Sequence, residues 1–171
     1  DIVEALAVAR RAGETWAGMP VRRRVSLLSK LGDGLLAELD DVVDGICKTT
    51  GKVPCEALLG EIYPVLDMLA YYRRHAADVL AERGVVTSPF AFPGATARVQ
   101  RKPFGVVAVL SPWNYPFQLA IVPMLTALFA GNAVILKASE LSLPVARRIV
   151  DLFATLGLPA GLVQSVTGGR E

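Results

Sequence analysis

The sequence holds few of the residues that build metal sites or disulfide frameworks. Its 171 residues include two Cys and one His, too few for a disulfide framework or a zinc site of Cys and His, so we predict no metal. An excess of charge is also missing, since 18 Lys and Arg stand against 16 Asp and Glu, a net charge of +2. This balance argues against a strongly basic binding arm, and we predict no nucleic-acid partner.

Long apolar runs are absent as well. A membrane span requires roughly 18 uninterrupted apolar residues, and the longest candidate, residues 117–135, is interrupted by Gln118, Pro123, Thr126, Gly131 and Asn132. Residues 1–20 carry charges throughout and contain no apolar run, which predicts no signal peptide. We therefore expect a cytoplasmic protein without a membrane span.

Apolar residues are nevertheless abundant. They make up 53% of the chain, and the mean hydropathy is +0.44, values that argue against disorder. A composition this apolar predicts faces that are covered by something outside the chain, or self-association through them.

Residues 1–84 are predicted to form an N-terminal helical part. Apolar residues recur at helical spacing over 2–16, 21–39 and 56–80, with a short helix over 40–50 that ends at Gly51. Pro64 lies early in the last of these helices and marks either a break or its true start.

Several polar or reactive residues of this helical part receive structural interpretations. The run Arg22–Arg24 is interpreted as a solvated helix start, with a phosphate or partner patch as the alternative. Cys47 and Cys55 are interpreted as structural thiols, because they lie in the helical stretch, away from the strand ends, and a nucleophilic Cys would need a base or orienting group close by. His75 is interpreted as a residue of the surface or the core rim.

Residues 85–103 change in character to β-forming residues around Pro and Gly. We predict a β-hairpin that turns near Pro93 and Gly94, with a second arm over 96–102. The charged alternation of this arm is typical of an edge or inter-subunit strand.

Residues 104–171 read as strand, helix, strand, helix, strand. The predicted strands are 106–110, 133–137 and 162–167, and the helices are 116–129 and 144–156. This alternation predicts an α/β fold whose parallel sheet is joined by right-handed crossovers. Ligands of such sheets bind at the carboxyl ends of the strands.

Polar side chains follow the first two of these strands. The Asn114 amide could donate to an oxygen that becomes negative during a reaction, or it could cap the next helix. Lys137 and Glu140 could bind the hydroxyls of a nucleotide ribose, or they could form a surface ion pair. Trp113 offers a flat apolar wall or a core side chain. The glycine-rich dinucleotide fingerprint is missing after the first strand.

Three stretches, 103–116, 130–140 and 158–168, resemble the aldehyde dehydrogenase superfamily. The sequence Pro-Trp-Asn-Tyr-Pro ending at Pro116, followed by Ala-Gly-Asn-Ala-Val-Ile-Leu-Lys-Ala-Ser-Glu ending at Glu140, is highly specific in that order and spacing. The resemblance implies oxidation of an aldehyde to an acid through a thioester on a catalytic Cys, with hydride passing to NAD(P). It also implies an incomplete Rossmann-like domain over 104–171.

The resemblance assigns roles to individual residues. Asn114 would donate to the oxyanion, and Tyr115 would face the substrate tunnel. The cofactor would be bound by Ser111, Pro112 and Trp113 at its nicotinamide end and by Lys137 and Glu140 at its adenosine ribose. Because a carboxylate repels a 2′-phosphate, NAD is favoured over NADP. The hairpin resembles the family's oligomerisation ribbon, which implies a homo-oligomer.

Two departures qualify the resemblance. Pro123 and the residues after Asn114 look more like the class 3 branch, which serves medium-chain and aromatic aldehydes. The family's catalytic Cys and general-base Glu would lie beyond Glu171, so we expect an N-terminal fragment that is inactive alone. The alternative is a non-catalytic module that kept the fold and binds nucleotides or proteins.

Overall fold

The computed structural model describes residues 2–88 and 90–169, and expectations about the other four positions lie outside it. The helical part contains α1 (Ile2–Ala17), α2 (Val21–Ala37), α3 (Leu39–Thr50), α4 (Pro54–Ala57), a π-helical turn (Leu58–Ile62) and α5 (Tyr63–Leu80). The remainder contains β1 (Arg83–Val85), β2 (Ala97–Val99), β3 (Val106–Ser111), α6 (Gln118–Ala130), β4 (Ala133–Ala138), a 3-10 turn (Glu140–Ser142), α7 (Leu143–Ala154) and β5 (Val163–Val166). The predicted α/β fold class is confirmed.

The three later strands form a parallel sheet in the order β3-β4-β5. Leu110, Lys137 and Val166 lie opposite one another in the register, so the strands end at the same edge of the sheet. The first four residues of β4 are all buried. Because successive side chains of a strand point to opposite faces, both faces of β4 are covered.

Helix α1 joins the helical part to the sheet through one continuous core. The indole Nε1 of Trp16, which is fully buried, donates to the Leu128 carbonyl of α6 at 2.8 Å. Gly13 approaches the sheet so closely that a Cβ there would lie 3.3 Å from the carbonyl oxygen of Gly105. The predicted parts therefore pack together and share their buried surface.

The helix predicted from residue 56 to residue 80 runs from Pro54 to Leu80 and contains the π-helical turn. Tyr63 donates its backbone N–H to Leu58 across this turn. Pro64 follows at once in the first turn of α5, where its missing N–H leaves Gly60 without the usual backbone donor. Pro64 therefore coincides with a local change of helix type in a continuous helical segment.

The interpretation of the arginine run as solvated is wrong for Arg24. Arg22 and Arg23 are exposed, but Arg24 is only 5% exposed. Its guanidinium donates to the carbonyl of Met19 at 2.6 Å and to that of Phe129 at 3.4 Å. Burial lowers the pKa of Arg24 through desolvation. Because helix ends leave carbonyls without partners, Arg24 stabilises the ends of α1 and α6.

The predicted hairpin is present but is shorter and lies earlier in the chain. β1 and β2 pair antiparallel, with Arg83 opposite Val99, so the pairing begins two positions before the predicted boundary at 85. The arm predicted over 96–102 contains three strand residues. Val86 and Phe90, between the strands, are 99% and 97% exposed, so the hairpin has little core of its own to extend its strands.

Within the described residues, no helix is both long and apolar enough to cross a bilayer. The same residues contain no group of three or more His, Cys, Asp or Glu side chains arranged to hold a metal ion.

Candidate functional site

The carboxyl ends of β3 and β4 are tied together by their backbones. Ser111 is buried at the end of β3, and its carbonyl accepts a hydrogen bond of 3.0 Å from the N–H of Ser139, just after β4. Pro112, Trp113 and Asn114 follow Ser111 and are exposed. Neighbouring strands lie about 4.8 Å apart, so the loop after β3 and Lys137 of β4 share one edge of the sheet.

The cap of helix α6 is provided by Glu61 from the π-helical turn. Its Oε2 accepts from the backbone N–H of Phe117 at 2.7 Å and from that of Gln118 at 3.4 Å. Since these N–H groups lie at the start of α6, the helix-cap interpretation of Asn114 is wrong. The exposed Asn114 amide makes no side-chain hydrogen bond within the part of the chain that the structure describes.

Lys52 links the same glutamate to the loop. Its Nζ donates to Glu61 Oε1 at 2.5 Å and to the backbone carbonyl of Asn114 at 2.7 Å, and it lies 3.5 Å from the centroid of the Tyr115 ring. The two side chains are buried, with 9% of Lys52 and 0% of Glu61 exposed. The loop that carries Asn114 is thereby bound to the helical part through charged hydrogen bonds, which are stronger than neutral ones.

Sequence reasoning missed both Lys52 and Glu61. One signal for Glu61 was available, because it lies on the apolar stripe of its helical segment, three residues after Leu58 and four before Val65. A carboxylate at such a position is buried and needs partners. Lys52 carries no comparable signal, since it follows the helix-ending Gly51 in an ordinary loop.

At the end of β4, Lys137 and Glu140 form the ion pair that was the alternative to ribose binding. The Nζ of Lys137 donates to Glu140 Oε1 at 2.8 Å, with 33% of one side chain and 57% of the other exposed. An ammonium has three N–H donors, and a carboxylate has several acceptor positions. Both groups therefore keep hydrogen-bonding capacity toward solvent, which fits a diol such as a ribose.

Tyr115 packs against the π-helical turn. A Cβ added at Gly60 would lie 3.0 Å from Cε1 of the half-buried Tyr115 ring, so the absence of a side chain at Gly60 lets the ring approach. Leu59 and Tyr63, on either side of Gly60 in the same helical segment, are 66% and 63% exposed. Leu119, in the first turn of α6, is 37% exposed. These exposed apolar side chains thus lie on the two helical segments that flank Tyr115.

The remaining reactive side chains lie in the helical part. Cys47 in α3 is half-buried, and Cys55 in α4 is exposed. The exposed His75 ring lies 4.7 Å from that of Tyr71. Their structural interpretation stays a prediction.

Comparison with known proteins decides the family. The model of the family described as "Aldehyde dehydrogenase family" matches residues 1–171. The chain belongs to this family.

Two curated aldehyde-converting relatives match essentially the whole chain. A "4,4'-diapolycopene aldehyde oxidase" of a Methylomonas species is 62% identical over 99% of this chain and 32% of its own length. An "N-succinylglutamate 5-semialdehyde dehydrogenase" of Novosphingobium aromaticivorans is 34% identical over 100% of this chain and 35% of its own length. The chain thus spans about a third of the length of these two curated relatives.

A solved structure is also similar to this chain in fold. The crystal structure of PnpE in complex with nicotinamide adenine dinucleotide has a TM-score of 0.90 and 30% sequence identity. The match covers 99% of this chain and 34% of that one. The class 3 branch is not distinguished by these matches and stays a prediction.

Proposed function

We propose that this chain is the amino-terminal part of an NAD(P)-dependent aldehyde dehydrogenase. It contributes the oxyanion donor and the adenosine-ribose end of the cofactor site. The observation that carries the proposal is the exposed Asn114 amide, without a side-chain partner among the described residues, at the same sheet edge as Lys137 and Glu140. Parallel sheets bind their ligands at this edge.

Asn114 acts on the aldehyde oxygen. As a nucleophile adds to the aldehyde, negative charge develops on the carbonyl oxygen, and a positioned amide N–H stabilises it. When bound, NAD(P) supplies the hydride acceptor. By resemblance, the Cys nucleophile and general-base Glu come from sequence beyond residues 1–171, so we expect no turnover from this chain alone.

Lys137 and Glu140 fit the adenosine ribose. The ammonium donates to ribose oxygens, and the carboxylate accepts from the 2′-hydroxyl. Glu140 places negative charge where a 2′-phosphate would lie, and like charges repel. We therefore propose NAD as the preferred cofactor, with NADP as the weaker one. The nicotinamide end of the cofactor is proposed to lie against Ser111, Pro112 and Trp113. Trp113 supplies an exposed apolar wall there.

The substrate we propose is a large apolar aldehyde. The relative that is 62% identical is named for an aldehyde of 4,4'-diapolycopene, a polyene hydrocarbon. The surface beside Tyr115 supports the same chemistry, since Leu59, Tyr63 and Leu119 are apolar and exposed there. Burying such side chains against a hydrocarbon chain is favourable. The expected medium-chain and aromatic aldehydes share this apolar character.

We also propose that the protein is a cytoplasmic homo-oligomer. The exposed apolar residues of the hairpin, Val86 and Phe90 among them, support an interface there because contiguous exposed apolar patches mark contact sites. The exposed Phe104 and Leu110, at 95% and 77%, support a further covering by the rest of the enzyme.

The test is oxidation of matched aldehydes by the complete enzyme with NAD and with NADP. We expect NADH formation, with a higher kcat/KM for a long-chain apolar aldehyde than for a short semialdehyde that carries a carboxylate. Nucleotide binding with micromolar affinity but without any aldehyde oxidation would instead support the non-catalytic module. A preference for the carboxylated semialdehyde would contradict the apolar substrate.

A further inference from the structure

We propose that Lys52 and Glu61 are positioning residues that hold the backbone of the Asn114 loop, so that the Asn114 amide meets the reacting aldehyde oxygen. This inference rests on the proposed function of Asn114. Neither residue touches substrate or cofactor in the proposal, and neither was singled out by the sequence motifs.

The pair binds the loop between β3 and α6 at two points. In the middle of the loop, the ammonium of Lys52 donates to the backbone carbonyl of Asn114 at 2.7 Å. At the end of the loop, the carboxylate of Glu61 accepts from the N–H groups of Phe117 and Gln118, where α6 begins. A hydrogen bond of 2.5 Å joins the two charges. Movement of the loop would therefore break several charged hydrogen bonds together.

The side chain of Tyr115, which lies between these two points of the loop, is held as well. The ring of Tyr115 lies against Gly60 on the π-helical turn, and the Nζ of Lys52 is 3.5 Å from the ring centroid. A cation over an aromatic ring is attracted by its negative face. Backbone and side-chain contacts thus fix the residue that directly follows Asn114.

The burial of the pair argues against a role in proton transfer. Glu61 has no exposed side-chain surface, and the bonds to Lys52, Phe117 and Gln118 occupy both of its oxygens. Because opposite charges in contact largely cancel at a distance, the contribution of the pair to the site is geometric. A misplacement of about 1 Å can lower a rate on the order of 100-fold.

The test is a double-mutant cycle in the complete enzyme between Lys52→Met and Asn114→Ala. In the presence of Asn114, we expect Lys52→Met to lower kcat/KM for the aldehyde about tenfold or more, with KM for NAD changed less than about twofold. In the Asn114→Ala background, Lys52→Met should lower kcat/KM by less than about twofold further, because the group that it positions is gone. Additive losses, or an unchanged kcat/KM in Lys52→Met, would overturn the inference.

A matched control and a second variant keep the result interpretable. Lys48→Met removes an exposed lysine that is paired with Asp44, and it should leave kcat/KM within about twofold of wild type. If Lys52→Met does not fold, the cycle is run with Lys52→Met combined with Glu61→Gln, which removes both buried charges and keeps an oxygen acceptor for the Phe117 N–H. Additive losses of kcat/KM in that cycle would again overturn the inference.

A structural readout separates this inference from the proposed function. Hydrogen exchange of the peptide that spans residues 112–120 should accelerate in Lys52→Met relative to Lys48→Met. Unchanged exchange would overturn the inference even if activity fell. An inactive wild-type enzyme would overturn the proposed function itself, whereas an active enzyme that is impaired by Asn114→Ala but not by Lys52→Met would overturn the positioning role alone.

Discussion

The candidate site contains two lysine–glutamate pairs that differ in their exposure to solvent. One pair contacts the loop after β3, and the other lies at the end of β4. Lys52 and Glu61 are 9% and 0% exposed, whereas Lys137 and Glu140 are 33% and 57% exposed. The buried pair has its charges turned toward the backbone of the loop after β3. The exposed pair keeps capacity for a ligand. The same two side-chain types therefore support the backbone where little water reaches them, and they stay accessible to solvent where they are exposed.

The largest effect should come from breaking the buried pair. Glu61→Ala leaves the Lys52 ammonium buried without its counterion and the Phe117 N–H without an acceptor. We expect the complete enzyme to lose about 3 kcal/mol or more of stability, measured as a lower urea midpoint. Glu140→Ala is the matched control at the exposed pair. Equal midpoints for the two variants would contradict the contrast in surroundings.

Removing the side-chain amide of Asn114 tests whether the loop that the buried pair supports takes part in catalysis. Asn114→Ala in the complete enzyme should lower turnover on the order of 100-fold, or about 2.7 kcal/mol, because one oxyanion donor is lost. The stability should stay close to wild type, since the amide has no side-chain partner among the described residues. A wild-type rate would remove Asn114 from the mechanism.

At the exposed pair, Lys137→Ala should act on cofactor binding. We expect KM for NAD to rise about tenfold, corresponding to the loss of one charged hydrogen bond, with a smaller change in turnover. Steady-state kinetics at saturating aldehyde measures both quantities. If turnover falls while KM for NAD is unchanged, the ribose assignment is wrong.

Glu140→Gln should change the choice between cofactors. Removing the carboxylate charge relieves its repulsion of a 2′-phosphate, so the ratio of kcat/KM with NADP to that with NAD should rise by about threefold to tenfold. The measurement compares the two cofactors at one aldehyde concentration. An unchanged ratio would show that Glu140 does not contact this part of the ribose.

The smallest effect should come from a third pair on the outer surface of α3. The pKa of Lys48 is raised by its hydrogen bond and charge interaction with Asp44. A raised lysine pKa contributes stability below the ordinary lysine value of about 10.4, and that contribution is lost as the pH rises through the folded-state pKa. Lys48→Met should shift Tm by less than about 1 °C at pH 7. A larger shift would show that solvent exposure does not determine how much each ion pair contributes to stability.

The secondary structure was predictable where it depends on local periodicity. The strands β3, β4 and β5 and the helices between them lie within two residues of their predicted bounds, because buried strands and amphipathic helices have distinct apolar patterns. The hairpin was less predictable, since its three-residue strands are nearly all exposed and carry no burial pattern.

The site was predictable only in part. Motif spacing indicated Asn114, Lys137 and Glu140, and the parallel register brings their strand ends to one edge. The buried pair of Lys52 and Glu61 could not be predicted, because Lys52 donates to a carbonyl that lies 62 positions further along the chain. Arg24 was misread for the same reason, since its burial depends on Phe129 and Gly131 of a distant helix end.

By itself, the sequence determined the alternation of strands and helices and the polar residues at the strand ends, because these follow from spacing along the chain. Only the tertiary structure decided which charged residues lose water. Lys52 and Lys137 have the same ammonium, and their surroundings in the folded chain make one a support for the backbone and the other accessible to a ligand. Desolvation depends on every element that packs around a charge, and no local pattern contains that information.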